Sequence, residues 1–219
     1  MGAIYDYQPP SDLGLDIIHQ DADIIVVSKP AGLLSVPGKP AAHHDCMINR
    51  VQREFSAARI VHRLDMMTSG LMVMGLGAEA HRHLSIQFEK RKVEKAYIAL
   101  VWGDVDGDSG RVELPVRCDW ENRPRQIVDF EQGKSALTEW EVMARYGDTT
   151  RVVLRPFTGR THQLRVHMQA MGYPIVGDDF YAHEEAFNAA DRLCLHAQDL
   201  SFYHPSTNEF MDFHAACPF

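Results

Sequence analysis

His62-Arg63-Leu64-Asp65-Met66-Met67-Thr68-Ser69-Gly70 runs directly into Leu71-Met72-Val73-Met74-Gly75-Leu76, a polar, turn-like stretch followed by a short apolar one. An apolar run of this length after a glycine reads as a buried strand. Beyond it, Ala78 to Lys90 reads as a helix that brings Leu84, Gln87, Phe88 and Arg91 near one another. On the other side, the β-branched run Ile24 to Ser28 is a second strand, stopped by the turn signal Lys29-Pro30-Ala31-Gly32. Asp45 is placed to cap a helix reaching about Phe55, with Met47, Ile48, Val51 and Phe55 on one side.

Further out, Val93 to Trp102 alternates in part, placing Tyr97, Ala99 and Val101 on one strand face and Ile98, Leu100 and Trp102 on the other. After a Gly- and Asp-rich turn at Asp104 to Asp108 come β-like segments at Arg111 to Val116, Gln126 to Phe130, Ala136 to Met143 and Val152 to Leu154. Thr161 is placed to cap a helix carrying Leu164, His167, Met168 and Met171, which ends at Gly172-Tyr173-Pro174. Strands joined by short turns predict an α+β fold: a mixed, largely antiparallel sheet with flanking helices and loops, not repeated βαβ units. At 219 residues the chain is expected to form a single domain, 1–219.

Acidic residues outnumber Lys and Arg by 30 to 22, which argues at first sight against a nucleic-acid partner. Their distribution weakens that argument. Residues 1–28 hold five acids and no base, and residues 178–219 hold eight acids against Arg192 alone, so the middle of the chain is net positive. There lie Lys90, Arg91, Lys92 and Lys95, then Arg117, Arg123 and Arg125, then Arg145, Arg151, Arg155, Arg160 and Arg165. Taken alone, such clusters are ordinarily solvated surfaces. No basic head for a secretory signal precedes Lys29, and no apolar run is long enough to cross a bilayer, so a cytoplasmic protein without membrane contact is expected. Cys46, Cys118, Cys194 and Cys217 form no Cys-x-x-Cys pair.

Several chemistries fail on spacing. There is no phosphate-binding Gly-x-x-x-x-Gly-Lys-Ser/Thr and no His-Glu-x-x-His. Gly75-Leu76-Gly77-Ala78-Glu79-Ala80, with Glu94 downstream, imitates a dinucleotide fingerprint, but the hairpin-like pattern after it lacks the required βαβαβ context. Among the 12 His, His81, His83, His162 and His167 invite a metal assignment without a third and fourth ligand at plausible spacing. Asp65 is different. Flanked by Leu64, Met66 and Met67, its carboxylate needs a cation or donors if buried, and on this evidence alone it is equally a functional acid or a turn-capping one. An aspartyl-phosphate enzyme would carry a second Asp where Met67 stands.

The same residues resemble the RluA-type pseudouridine synthase family over nearly the whole chain. Lys29-Pro30-Ala31-Gly32-Leu33 resembles the family's early turn, and His62 to Gly70 its His-Arg-Leu-Asp-x-x-Thr-Ser-Gly motif. Lys95-Ala96-Tyr97-Ile98-Ala99 is similar to its tyrosine strand, and Gly159-Arg160-Thr161-His162-Gln163-Leu164-Arg165-Val166-His167 to its arginine motif. Gly172 to Asp178 and Leu195-His196-Ala197 complete the order. Ser28 and Cys194 depart from the usual residues at their positions.

The resemblance implies conversion of uridine to pseudouridine in structured RNA by base flipping, with no cofactor and no metal. It implies a catalytic domain acting without an S4-like RNA-binding domain, on a stem-loop of 23S ribosomal RNA, of tRNA, or of both. No obligatory protein partner follows. Asp65 is implied as the group that starts cleavage, either attacking the uridine or removing a ribose proton. Arg165 is expected to pair with Asp65, and Tyr97 to stack on the target base and help remove the C5 proton. For RNA binding it implies Arg63, which fills the space left by the flipped base, and His62 of the same motif; Arg160, Lys90, Arg91 and Lys92 are candidates for phosphate contacts. The rival from another class is a catalytically silent RNA-binding protein on the same fold.

Overall fold

The structure is a computed structural model and describes residues 7–219. Contacts divide the described residues into two compact units, one of residues 7–95 with 197–218, the other mainly of residues 96–196.

The first unit opens with β1 (Ile17–Gln20), β2 (Ile24–Lys29), α1 (Met47–Glu54), β3 (Ala58–Ile60), β4 (Ser69–Leu76) and α2 (Ala78–Glu89). The chain leaves this unit along β5 (Glu94–Trp102). The second unit then holds β6 (Ser109–Val112), β7 (Val116–Cys118), β8 (Gln126–Val128), β9 (Thr138–Arg145), β10 (Thr149–Pro156), α3 (Gln163–Ala170) and α4 (Glu184–Asn188). β11 (Leu195–Tyr203) carries the chain back into the first unit, where β12 (Phe210–His214) ends it.

In the first unit the strand order is β1-β2-β4-β11, with β3 on β4 and β12 on β11. Ile24, Ile25, Val26 and Val27 are all fully buried, so β2 is covered on both faces. That explains a continuous apolar run where a half-exposed strand would alternate. Ile24, Val26, Leu71, Val73, Leu200 and Phe202 form a core with Leu84 of α2; each such side chain contributes roughly 1.5–3 kcal/mol of burial. The β2–β4 register runs antiparallel from Ile24 opposite Gly75 to Lys29 opposite Gly70. It therefore sets the Lys29-Pro30 turn beside the end of the Asp65 segment.

In the second unit the order is β5-β10-β9-β6, with β7-β8 as a separate antiparallel pair. β5, β10, β9 and β6 pair antiparallel throughout, as the turn pattern predicts. Other details differ from expectation. Arg111 to Val116 is split between β6 and β7. Asp45 does not cap α1, whose N-cap is Cys46 without a side-chain bond; its carboxylate instead takes Arg50 Nε at 2.8 Å and an Arg50 Nη at 2.7 Å. Thr161 does not cap α3 either: the N-cap is His162, at φ 52°. The imitation fingerprint has a packing cause, because a Cβ on Gly75 would lie 2.6 Å from the backbone nitrogen of His81 in α2. Only glycine permits that helix–strand approach.

Candidate active site

Asp65 sits in a turn closed by the Thr68 N–H on the Asp65 carbonyl, 3.1 Å. The early turn clamps this segment from the other side. The Lys29 ammonium, fully buried, donates to the carbonyls of Pro30 (2.8 Å), Leu33 (2.7 Å) and Met66 (3.0 Å). Gly32 N–H reaches the same Met66 carbonyl at 2.9 Å. Ser35 Oγ donates to the Leu64 carbonyl (2.6 Å) and accepts from Leu64 N–H (3.1 Å). Both neighbours of Asp65 are thus fixed by the Lys29–Ser35 turn, while Asp65 is half-buried and its carboxylate accepts no hydrogen bond among the described residues. Nearby, the buried hydroxyl of Thr68 has no partner.

His62 and Arg63, adjacent in sequence, have different surroundings. Arg63 is exposed, with no hydrogen bond or ion pair among the described residues. His62 accepts from Val73 N–H at its Nε2, 3.1 Å, and stacks on Phe88 at 4.6 Å between ring centroids. Desolvation, helped by the positive charge of Lys95, lowers its pKa to about 3, so the imidazole is neutral. These contacts give His62 a place within the protein's own packing, joining the Asp65 segment to β4 and α2. Lys95 is itself half-buried, and burial lowers its pKa; it is not one with the solvated cations Lys90, Arg91 and Lys92 at the end of α2.

In the second unit Tyr97 is half-buried on β5, opposite Leu154 of β10. Arg165, 2% exposed, lies in α3. Its Nε and an Nη bond the two oxygens of Asp178 at 2.7 and 2.6 Å, and an Nη reaches Asp179 at 2.7 Å. Asp178 is also held by the N–H groups of Phe180 and Tyr181, whose rings lie 5.1 and 5.2 Å from the guanidinium carbon. Within its own unit the guanidinium is thus paired with both Asp178 and Asp179. A buried guanidinium requires carboxylates at hand, and the Gly177-Asp178-Asp179 turn supplies two.

The rest of the arginine motif builds the support for α3. Gln163 accepts from Thr158 Oγ1 (2.7 Å) and from Arg160 N–H (3.0 Å), and donates to Leu137 O and Thr138 Oγ1, both at 3.0 Å. His167 bonds Thr138 Oγ1 at 2.9 Å and donates from Nε2 to Leu114 O at 3.0 Å. Burial lowers its pKa, as a neutral imidazole in that place requires. Arg160 is half-buried, with Nε on the Ser135 carbonyl at 3.2 Å.

Sequence reasoning had no site role for Lys29, Ser35, Asp178, Phe180 or Tyr181. The available signal was a lysine ending a strand otherwise made for burial, and an Asp pair directly after Gly177. The histidines weighed as ligands are engaged elsewhere: His81 donates to Ile60 O, and His162 bonds the Tyr181 hydroxyl. Among the described residues Asp21, Asp23 and His204 bring potential ligand atoms together. However, His204 Nδ1 accepts from the N–H groups of Ser206 and Thr207, so Nε2 carries the proton and donates to Asp21 at 3.2 Å. That leaves no imidazole lone pair for a metal, and the group acts as a turn lock.

The profile of the family described as RNA pseudouridylate synthase matches residues 23–170. The chain is 52% identical over 214 residues to "Dual-specificity RNA pseudouridine synthase RluA" of Pasteurella multocida, covering 97% of this chain and 98% of the relative. It is 51% identical over 215 residues to the protein of the same name from Escherichia coli, covering 98% of each. The solved structure "Human RNA Pseudouridylate Synthase Domain Containing 1" superposes with a TM-score of 0.81 at 30% identity, covering 97% of this chain and 87% of that one.

Proposed function

The chain belongs to the RNA pseudouridylate synthase family, and we propose that it isomerises a specific uridine of 23S ribosomal RNA, of the tRNA anticodon stem-loop, or of both, in the cytoplasm. The reaction breaks the bond from N1 to C1′, turns the base and joins C5 to C1′, with the C5 hydrogen lost as a proton. No electrons leave or enter, so the chemistry asks for acid–base and nucleophilic groups and no cofactor. The two units serve together as one catalytic domain.

The carrying observation is the Asp65 carboxylate, held in place through both sequence neighbours yet engaged by none of the described residues. Such an oxygen is ready either to attack the uridine or to take a ribose proton, and both routes remain compatible with its setting. Tyr97 stacks on the base and assists loss of the C5 proton. Arg165, its guanidinium oriented by Asp178 and Asp179, is the third catalytic residue. Extruding the base costs a few kcal/mol, less for a loop nucleotide. Arg63, exposed and without an ion pair among the described residues, fills the gap left behind. Arg160, Lys90, Arg91 and Lys92 contact phosphates, and His62 serves RNA binding by holding Arg63 and Asp65 in place.

The test is tritium release from RNA labelled at uridine C5, using a 23S fragment and a tRNA anticodon stem-loop, for wild type and Asp65→Asn. Release by wild type alone is expected, and the RNA that releases identifies the substrate. Salt-sensitive binding of both RNAs with no release from either would favour the silent RNA-binding protein.

A further inference from the structure

In the first unit, a cavity of about 480 Å³ is lined by Lys92, Glu94, Tyr203, Asn208 and Phe210. Two segments far apart in sequence meet there, and a buried amide joins them. Gln87, 4% exposed, donates to the Tyr203 carbonyl at 2.6 Å and accepts from the Tyr203 N–H at 2.9 Å. Its own carbonyl accepts from Lys92 N–H at 2.9 Å. One residue thus fixes both the basic turn after α2 and the end of β11, so the cavity's walls are set before anything binds.

The walls have a definite chemistry. Tyr203 and Phe210 are cross-strand partners with ring centroids 5.1 Å apart. Such a pair ordinarily buries its faces; here the residues remain 39% and 47% exposed. Beside them Lys90, Arg91 and Lys92 are exposed and form no ion pair among the described residues. Glu94 and Asn208 add acceptors within reach of a base edge. Aromatic faces next to unpaired cations, in a volume suited to a small ligand, are the combination that holds an unstacked nucleotide.

We propose that this cavity docks one unpaired nucleotide of the substrate RNA other than the target uridine. Its base stacks on Tyr203 and Phe210, a donor N–H on its edge meets Glu94 or Asn208, and its phosphate meets Lys92. The proposal rests on the reading of this protein as an RNA-modifying enzyme and adds a second anchoring point. Flipping one base leaves a stem-loop free to pivot, and a second docked nucleotide fixes its register.

Binding of a fluorescent RNA stem-loop is measured in the Asp65→Asn background, where no turnover intrudes, with Phe210→Ala or Lys92→Gln added. Phe210→Ala is expected to weaken binding about tenfold. Lys92→Gln, a solvent-exposed change without consequence for folding, is expected to reduce the slope of log affinity against log salt by about 0.7. With Asp65 intact, Phe210→Ala should raise KM and leave kcat unchanged, a split that general loss of structure does not produce. An RNA made abasic at the docked position should abolish the Phe210→Ala penalty. Unchanged affinity in Phe210→Ala together with an unchanged salt slope in Lys92→Gln overturns the proposal. Binding that depends on Phe210 and Lys92 without tritium release from any RNA would leave the docking site standing and remove the catalytic reading. Tritium release with unaltered KM in both variants would do the reverse.

Discussion

The ammonium of Lys29 donates to the backbone carbonyl of Met66 at 3.0 Å, one residue past Asp65, from a position where no part of the lysine is exposed. It also donates to two further carbonyls, of Pro30 and Leu33. A buried cation thereby ties two turns that are 37 residues apart. Lys29→Met should leave these carbonyls short of a donor, lowering stability by about 2–4 kcal/mol. Tritium release should fall chiefly in kcat, because Asp65 loses its fixed position; denaturant titration and steady-state kinetics check the two effects.

Gly70 adopts φ 111°, and a Cβ there would lie 2.2 Å from the Ala197 carbonyl oxygen. Neither strain nor clash can be relieved by a rotamer change, since the obstacle is backbone of the neighbouring strand. Gly70→Ala should destabilise by about 2–4 kcal/mol, seen as a lowered thermal midpoint. A midpoint equal to wild type would contradict the packing described here.

The Thr68 hydroxyl is buried and unpaired, so removing it should not harm the fold. Thr68→Val, nearly isosteric, is expected to match or exceed wild-type stability, by up to about 1–2 kcal/mol. If kcat nevertheless drops, the hydroxyl has found its partner in the bound uridine. Urea titration beside tritium release separates the two results.

His62 and His167 are both neutral in the fold, with pKa values depressed by burial, to about 3 for His62. Unfolding returns each toward the ordinary imidazole value of 6.5, so the unfolded chain binds the extra protons. The His62 contribution is fully present above pH 6.5 and is lost as pH falls toward 3, at up to about 1.4 kcal/mol per pH unit, and His167 acts in the same direction. Denaturation midpoints should therefore decline already between pH 6.5 and about 4.5, above the ordinary carboxylate range. In Lys95→Met, loss of the neighbouring charge should raise the His62 pKa, readable by NMR titration.

The antiparallel sheet was legible because its signals are local. Ile24 to Val27 and Leu71 to Met74 could only be buried strands, and Gly75 with Gly77 failed as a fingerprint because no parallel crossover followed. β1, β3 and the pair of β11 and β12 were not read, since Ile17–Gln20 and Ala58–Ile60 are short and the closing strands are broken by polar residues. The helix caps differ from the side-chain signal because the Asp45 carboxylate is taken by Arg50, and because α3 starts one residue after Thr161, at His162 in the left-handed region.

The sequence by itself determined the fold class and marked the Asp65 and Arg165 segments, because strand periodicity and contiguous motifs are written in neighbouring residues. Tertiary structure alone decided that Lys29 and Ser35 hold the Asp65 turn, that Asp178 and Asp179 hold Arg165, and that His62 packs on Phe88. Each of these joins groups separated along the chain, and a buried charge takes whichever partner the fold brings within hydrogen-bonding distance, a choice no local pattern encodes.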